Sequence, residues 1–320
     1  MLKRMSIKKI TVASLALFSL FLLYLIPDYH ELEYTLSSDN IEYEYNNVSS
    51  VVYLLDSNDY IARAIVPGVE GDVPKKARDS LENLIIDGAK NNDIPNGFRA
   101  IIPAGTEIKD LSLENKTLTI NFSKELLDIN EDYEEKMLEA IIYTLTSIDG
   151  IDNVIIKVEG EVLKELPNSK KSLPTSLSKD YGINKHYDLL NTNNVESYTV
   201  YYVSSYNNNE YYVPVTKYIN NTNNDKVKVI IDELSSSPIH ETNLMSFLNS
   251  NTSLINYEQD GDILKLNFND AILENKSSNK ILEEVIYTIS LSVKDNYDVM
   301  EVSFLVNDKE ICKNSLKSIE

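Results

Sequence analysis

Acidic side chains spaced two residues apart form the pattern in this chain that comes nearest to a metal site. Asp128, Asn130 and Asp132 alternate as in a calcium-binding loop, and Glu139 stands at the twelfth position. Such a loop needs glycine at its sixth position for a sharp turn, and Tyr133 occupies that place. We therefore predict that these acids lie at a helix N-terminus, where the helix dipole favours negative charge, and that they hold no metal.

The three histidines provide neither a catalytic nor a metal centre. They are His30, His186 and His240, and none lies at ligand spacing from another histidine or from the single cysteine, Cys312. The sequence has no Gly-x-Ser-x-Gly turn of a hydrolase and no glycine-rich phosphate loop. Carboxylate pairs that cleave glycosides are not excluded by counting, but no pair recurs along the chain. We predict no catalytic, cofactor-binding or metal-binding residues, no cofactor and no enzymatic activity.

Charge and cysteine content narrow the possible partners. The chain carries a formal net charge of −20, which repels the phosphates of nucleic acids and anionic lipids. We therefore predict no nucleic-acid binding. The acidic surface fits either a basic protein partner or a role in solubility alone. Because Cys312 lies near the end of the sequence and has no second cysteine, it forms no intramolecular disulfide and no N-terminal lipid anchor.

The elements that would position any site occur twice. Residues 118–127 and 264–273 share one pattern 146 positions apart, in which alternating apolar residues precede Asn-Phe. Each stretch is followed by a helical pattern with an Ile-Tyr-Thr core, at residues 142–144 and 286–288. This period is far longer than a solenoid repeat, so it indicates two tandem globular domains.

Each copy has the pattern of a small α+β domain with the element order βαββαβ. Alternation at residues 118–122 predicts a strand with one buried face. Apolar residues at three- and four-residue spacing predict an amphipathic helix at residues 134–148 and an equivalent one in the second copy. Asp260-Gly261 predicts a tight hairpin before the strand at residues 263–268, and residues 114–116 form the matching turn.

The N-terminal residues predict a membrane anchor. Lys3, Arg4, Lys8 and Lys9 precede an uncharged run at residues 10–26, without a small-x-small cleavage site after it. We predict an uncleaved single transmembrane helix, with a cleaved signal peptide as the alternative. The basic flank stays in the cytoplasm, which places the bulk of the chain outside the membrane.

The remaining segments are predicted from composition. Residues 1–27 form the cytoplasmic basic end and anchor, and residues 28–50 form an acidic spacer. The first domain spans residues 51–163 and the second spans residues 198–312. Residues 164–197, rich in Ser, Asn and Thr, predict a linker that would let the domains reorient, and residues 313–320 form a C-terminal tail.

The chain resembles the GerM family of endospore-forming bacteria, whose members carry two tandem GerMN domains outside the membrane. The resemblance rests on the opening strand Val52-Tyr-Leu, the turn Ile102-Pro-Ala-Gly-Thr106, the strand at residues 118–122, and a last strand that closes on Gly160. The second copy is more divergent and reads Asn249-Ser-Asn-Thr-Ser253 in place of the Ile-Pro-x-Gly-Thr turn.

The resemblance implies a non-enzymatic scaffold of the sporulation apparatus. Its domains would be similar to ring-building motifs and would help to form a channel complex in the space between mother cell and forespore. It would take part in spore envelope and cortex formation and in germination, with protein partners and self-association but no catalytic residues. An extracytoplasmic module that binds peptidoglycan or a small ligand is the alternative hypothesis, and the sequence leaves the interface residues unknown.

Overall fold

The computed structural model describes residues 48–220, 225–236, 243–275 and 279–315. Within the first copy the strands are β1 (Ser49–Asp56), β2 (Ile61–Pro67), β3 (Phe98–Arg99), β4 (Ile108–Glu114), β5 (Thr117–Phe122), β6 (Asn153–Val158) and β7 (Glu161–Val162), and the helices are α1 (Val73–Glu82) and α2 (Glu131–Thr146). After β8 (His186–Asp188), the second copy has β9 (Val195–Tyr206), β10 (Asn209–Asn220), β11 (Leu254–Asp260), β12 (Ile263–Phe268), β13 (Glu301–Val306), β14 (Lys309–Ser315), α3 (Lys226–Ser235) and α4 (Glu283–Asn296). Apart from β3, which has no counterpart among the described residues of the second copy, the two copies share one order of elements.

The predicted anchor at residues 10–26 and the predicted spacer up to residue 47 lie outside the described residues. In the part of the chain that the structure describes, no helix is long and apolar enough to cross a membrane.

Each domain contains a four-stranded sheet, which we call its outer sheet. The strand orders are β4-β5-β6-β7 and β11-β12-β13-β14. The central pair is parallel in both sheets, with Leu118 opposite Val154 and Leu264 opposite Val302, and a helix connects the two strands of each pair. The predicted alternation is confirmed, because the side chains of Leu118, Ile120 and Phe122 are buried.

Tight turns set the register of these sheets. Asn115 and Lys116 join β4 to β5 with φ values of 48° and 59°, the left-handed conformation of a two-residue hairpin. Gly261, with φ 61°, stands at the matching turn between β11 and β12. Both predicted hairpins are confirmed.

A hairpin opens each copy where the sequence predicted a single strand. β1 pairs antiparallel with β2, and β9 pairs antiparallel with β10 over its full length. A further strand, β7 or β14, follows each last predicted strand, so the predicted order βαββαβ omits strands on both sides. The turn residues Asn207 and Asn208, both with positive φ, are the signal that separates the strands of the second hairpin.

The long helices lie between two sheets. α2 contacts β1 of the opening hairpin and β6 of the outer sheet, while α4 contacts β9 and β14. The residues from Met137 to Leu145 are buried without exception, which an amphipathic stripe alone does not predict. A helix covered by sheets on two sides buries most of its circumference, so the predicted apolar stripe is only part of its contact surface.

The opening hairpins of the two domains join into one sheet. Arg63 of β2 pairs antiparallel with Tyr212 of β10, which gives the strand order β3-β1-β2-β10-β8. β2 and β8 pair with different parts of one edge of β10, and β9 pairs with its other edge. We call this the shared sheet. Ala62 of the first domain is packed in the hydrophobic core of the second, so the cores also meet at this junction.

The segment predicted as a linker is packed against the protein. Leu166, Leu173, Leu177 and Ile183 are buried in the core of the first domain. Leu177 forms a backbone bridge with Val154, and β8 pairs in parallel with β10. The polar composition concealed this role, because isolated apolar residues at irregular spacing dock individually and give no periodic signal.

Asn184 in this segment fastens the two domains together. Its side-chain amide donates to the carbonyls of Ile61 and Pro214, both at 2.7 Å, and its side-chain oxygen accepts from the N–H of Ile61 at 2.9 Å. Ile61 belongs to the first hairpin and Pro214 to the second. One side chain thus completes the backbone hydrogen bonding of both strands beside their junction.

Replacing Asn184 by Ala should lower the free energy of unfolding by about 2–4 kcal/mol, since three hydrogen bonds to buried backbone groups are lost. Asn194→Ala is the matched control, because Asn194 also has a left-handed backbone, with φ 51° against 45° for Asn184, but an exposed side chain. Urea unfolding of the purified protein measures both variants. Equal losses would show that only the backbone conformation matters.

Glu134 ties the start of α2 to the same segment. Its carboxylate accepts from the N–H groups of Asn168 at 2.8 Å and Ser169 at 3.1 Å. Burial alone would raise the pKa of the Glu134 carboxyl, but hydrogen bonds from Ser169 and Asn168 outweigh it and hold the pKa below the ordinary value of 4.5. The charged carboxylate therefore stabilises the folded state above pH 4.5.

We expect Glu134→Gln to cost about 1–3 kcal/mol at pH 7, the range for hydrogen bonds to a charged group. Because the pKa is lowered by folding, the stabilisation declines as the pH falls below 4.5 and through the lowered pKa of the folded state, so the two proteins should converge in acid. Unfolding in urea at several pH values measures the difference. The exposed Glu131 in the same helical turn provides the control Glu131→Gln, and a difference that is independent of pH would contradict the assignment.

Candidate functional site

The junction between the domains is built around two equivalent tyrosines. Tyr53 of β1 and Tyr201 of β9 lie 148 residues apart, and their hydroxyl oxygens are 2.8 Å from each other. The backbone N–H of Tyr53 donates to Thr144 of α2 at 2.8 Å, and that of Tyr201 donates to Ser292 of α4 at 2.9 Å. These equivalent contacts, together with the antiparallel pairing of β2 with β10, indicate that the domains are related by an approximate twofold axis near the hydroxyl pair.

The hydrogen bonds also correct the alignment of the two helices. The Ile-Tyr-Thr motifs align Thr144 with Thr288 in the sequence. In the structure, however, it is Ser292 that accepts the hydrogen bond equivalent to the one that Thr144 accepts. The buried positions Met137 and Ile141 correspond in the same way to Val285 and Ile289. The motif match is therefore displaced by about one helical turn.

An ion pair lies beside the tyrosines. Tyr201 donates its hydroxyl to Asp295 of α4, and the ammonium of Lys179 binds the other oxygen of that carboxylate. Burial and the neighbouring Asp295 raise the pKa of Tyr53 and that of Tyr201. Burial alone would lower the pKa of Lys179, but Asp295 outweighs it and the pKa lies above its ordinary value. At neutral pH both hydroxyls are thus protonated donors and Lys179 is charged.

A buried carboxylate of the first domain, that of Glu139, is also engaged. Glu139 accepts from the N–H of Asn184 at 2.9 Å and pairs with Lys185 at 3.2 Å. Burial raises the pKa of Glu139, and Lys185 opposes that shift. In the second domain Glu233 accepts from Tyr202 at 2.7 Å and binds Lys217. These acids have bound cations and hydrogen-bond donors, which suits structural support better than proton transfer.

A groove with a volume of about 350 Å³ opens beside the tyrosine pair, between the β2 edge of the first domain and α4 of the second. We call it the open groove. Its walls combine apolar and aromatic side chains with charged ones: the cations Arg63, Lys179 and Lys294, and the carboxylates Glu283 and Asp295. The apolar and aromatic side chains of the lining include Tyr53, Ile65, Tyr212, Tyr287 and Leu291, and Arg63 lies among them.

The residues singled out in the sequence lie apart from this junction. Asn130 caps α2 by accepting from the N–H of Asp132, so the prediction of a helix N-terminus is confirmed. Among the described residues no group of three His, Cys, Asp or Glu is placed to hold a metal ion. His186 lies in β8 and Cys312 in β14, whereas His30 and His240 are outside the described residues.

The tyrosine pair was not predicted from the sequence. A usable signal was present, because Tyr53 and Tyr201 occupy matching positions in otherwise aliphatic strands of the two copies. A tyrosine in a buried strand needs a partner for its hydroxyl. The partners Asp295 and Lys179 come from distant parts of the chain, and nothing in their local sequence marks them.

Fold and junction together define a tandem protein of two mixed α/β domains held as one unit by an internal twofold interface. The family model named Germane, described as sporulation and spore germination, matches residues 51–164 and 199–312. The spore germination protein GerM of Bacillus subtilis is 32% identical over 275 residues, covering 82% of this chain and 73% of that protein. The chain belongs to the Germane family of sporulation and spore germination proteins, which confirms the resemblance found in the sequence.

A solved structure supports the same conclusion. The structure described as tandem GerMN domains of the sporulation protein GerM from Bacillus subtilis has a TM-score of 0.75 and 30% identity. It covers 82% of this chain and 92% of the matched chain. The tandem arrangement predicted from the internal repeat is therefore present in a relative of known structure.

Removing the hydroxyl of Tyr201 should destabilise the protein more than removing that of Tyr53. Tyr201→Phe removes the donor to Oδ2 of Asp295, which keeps only its pair with Lys179, and leaves the Tyr53 hydroxyl without its acceptor, at a cost of about 1–3 kcal/mol. Tyr53→Phe leaves the Tyr201–Asp295 bond intact. Urea unfolding of both variants and of the double variant gives the coupling. Tyr187→Phe, at a tyrosine that is 58% exposed, is the control, and the reverse order of the two losses would contradict the assigned network.

Proposed function

We propose that this chain is a non-enzymatic, membrane-anchored extracytoplasmic scaffold of the sporulation apparatus. It contributes by protein association to a ring or channel complex between mother cell and forespore, and to spore envelope and cortex formation and germination. Membership of the Germane family and the identity with GerM support the setting. The internal interface is the observation that carries the scaffold role, because it makes the two domains one preassembled unit.

The proposed location follows from the basic N-terminal end and the uncharged run at residues 10–26. The chain spans the membrane once, with its N-terminus in the cytoplasm. Its domains lie outside, in the space between the mother cell and forespore membranes. Binding there involves proteins, and the strongly acidic surface disfavours nucleic acid.

The outer sheets supply the proposed assembly surfaces. Among the described residues, β4 pairs only with β5, and β11 pairs only with β12, so each strand has one unpaired edge. Both edges carry a bulge at the same place, between Ile108 and Asp110 in β4 and between Leu254 and Asn256 in β11. Bulges discourage indiscriminate pairing along an edge and favour a specific contact.

The two edges differ in character. β11 exposes apolar side chains, with Ile255 53% and Tyr257 39% exposed. Lys109 of β4 occupies the place of Ile255 and is paired with Glu159. Because the edges differ, a β11 edge that meets a different surface of a second protein forms a head-to-tail contact, the kind that closes into a ring when the rotation permits.

The test is crosslinking of the tagged, full-length chain in sporulating cells, with mass spectrometry of the recovered proteins. We expect crosslinks from the outer sheets to extracytoplasmic proteins of the channel complex. Changing both Ile255 and Tyr257 to Lys should lower that recovery by about tenfold, since apolar anchors at the centre of an interface carry most of its binding energy.

Tyr187→Lys, at an exposed position of β8, is the control and should leave recovery unchanged. Recovery of peptidoglycan fragments without proteins would contradict the scaffold role and favour a wall-binding module. Protein recovery that is insensitive to the β11 changes would leave the scaffold role standing but would reject this edge as its surface.

A further inference from the structure

The twofold relation between the domains creates two equivalent grooves. The open groove lies between the hairpin of the first domain and α4. Its counterpart, which we call the closed groove, lies between the hairpin of the second domain and α2. Residues 183–185 of the interdomain segment occupy the closed groove, where they bond to Thr216 of β10 and Glu139 of α2, so the structure already shows how a peptide binds there.

The contacts of that segment combine backbone pairing with charge. Ile183 donates its N–H to the hydroxyl of Thr216 at 2.9 Å and accepts from the N–H of Thr216 at 2.8 Å. Lys185 then pairs with Glu139 of α2 at 3.2 Å. The occupant is therefore an extended segment with an apolar residue on the strand edge and a charged residue against the helix.

Equivalent positions follow from the register of the hairpins. Tyr53 is opposite Arg63 and Tyr201 is opposite Pro214, so Arg63 corresponds to Pro214. Two residues further on, Ile65 corresponds to Thr216, the residue that holds Ile183. On the helix side, the 148-residue spacing makes Tyr287 the counterpart of Glu139. Arg63, Ile65 and Tyr287 all line the open groove.

The strand edge of the open groove has free pairing capacity. The N–H of Gly68 donates to the carbonyl of Val48, and the N–H of Asp56 donates to the carbonyl of Tyr60. In this antiparallel pair the even-numbered residues from Tyr60 to Gly68 therefore form the backbone hydrogen bonds to β1. The residues between them, including Ile65, direct their N–H and C=O away from β1. In the described part of the chain no strand pairs with β2 beyond Arg63, and the side chain of Ile65 is 46% exposed.

The charge of the open groove is opposite to that of the closed one. Glu139 attracts Lys185 in the closed groove, whereas Arg63 lies half-buried in the open groove. No carboxylate among the described residues forms an ion pair with Arg63. Burial lowers the pKa of Lys294 in the same groove, and the positive charges of Lys179 and Arg63 contribute to that shift. The lining holds three cations (Arg63, Lys179 and Lys294) and two carboxylates (Glu283 and Asp295), and Asp295 is already paired with Lys179. On a chain with a net charge of −20, this groove thus has a small local excess of positive charge.

We propose that the open groove binds an extended, acidic segment of a partner protein, which pairs with the edge of β2 at Ile65 and places a carboxylate on Arg63. Apolar side chains that alternate with the acids pack on Ile65, Tyr287 and Leu291. The binding mode is strand addition, in which main-chain hydrogen bonds supply affinity and side-chain pockets supply selectivity.

The test is fluorescence polarisation of the purified full-length chain with a labelled synthetic peptide that alternates glutamate with isoleucine. The same peptide with lysine in place of glutamate is the matched probe. We expect saturable binding of the acidic peptide that weakens with salt, and binding of the lysine peptide at least about tenfold weaker. Arg63→Gln should weaken binding of the acidic peptide by about tenfold, and Lys265→Gln on the outer sheet should not change it.

Ile65→Pro separates strand addition from simple charge attraction. Proline removes the N–H at position 65 and is tolerated on an unpaired strand edge, as Pro67 is already at the next outward position. The variant should fold, as circular dichroism will show, and lose peptide binding. Equal binding of both peptides, or binding unaffected by Arg63→Gln, would overturn the proposal.

Two further outcomes would reassign the groove. Peptide binding that appears only after residues 316–320 are removed would assign it to the chain's own C-terminus. Arg63-dependent self-association in analytical ultracentrifugation would assign it to a second copy. The groove does not depend on the proposed scaffold role, which is tested at the outer sheets, so either idea fails alone.

Discussion

The antiparallel contact between β2 and β10 is the constraint on which the rest of this structure depends. Two hairpins that meet edge to edge at Arg63 and Tyr212 bring Tyr53 and Tyr201 together, hydroxyl to hydroxyl. The contact is short, and backbone groups beside it would remain without hydrogen-bond partners. Asn184 supplies those partners from a third segment of the chain. The junction therefore needs the segment between the domains as much as the domains themselves.

Buried charge is arranged to support this junction. Lys179 and Lys185 stand at the two ends of residues 179–185 and each binds a buried carboxylate, Asp295 on α4 and Glu139 on α2. Breaking such a pair leaves an uncompensated charge, which costs several kcal/mol. The two ion pairs thus fix the segment to a helix of each domain. In a chain with 50 acidic residues, specific pairing of a few lysines positions the elements without neutralising the surface.

Sequence patterns predicted the parts of the fold that repeat and alternate. The strand at residues 118–122, the hairpin at Gly261 and the long helices have local signals, since side chains alternate in a strand and recur every three to four residues in a helix. The opening hairpins gave only a single-strand signal each, because a polar turn marks the end of a strand equally well whether or not the chain reverses there. The candidate site could not be predicted, since Asp295, Lys179 and Asn184 come together only through tertiary contacts between the copies.

The approximate twofold axis also determines how many attachment points the chain offers. A twofold interface is self-complementary and closes on itself, so the surfaces it uses are saturated within one molecule. Away from that interface each domain keeps its own outer sheet, and the two sheets are similar in fold but different in surface chemistry. Under the proposed assembly through the outer sheets, each chain would be bivalent and directional, with two non-identical ends, and the number of domains would grow in steps of two.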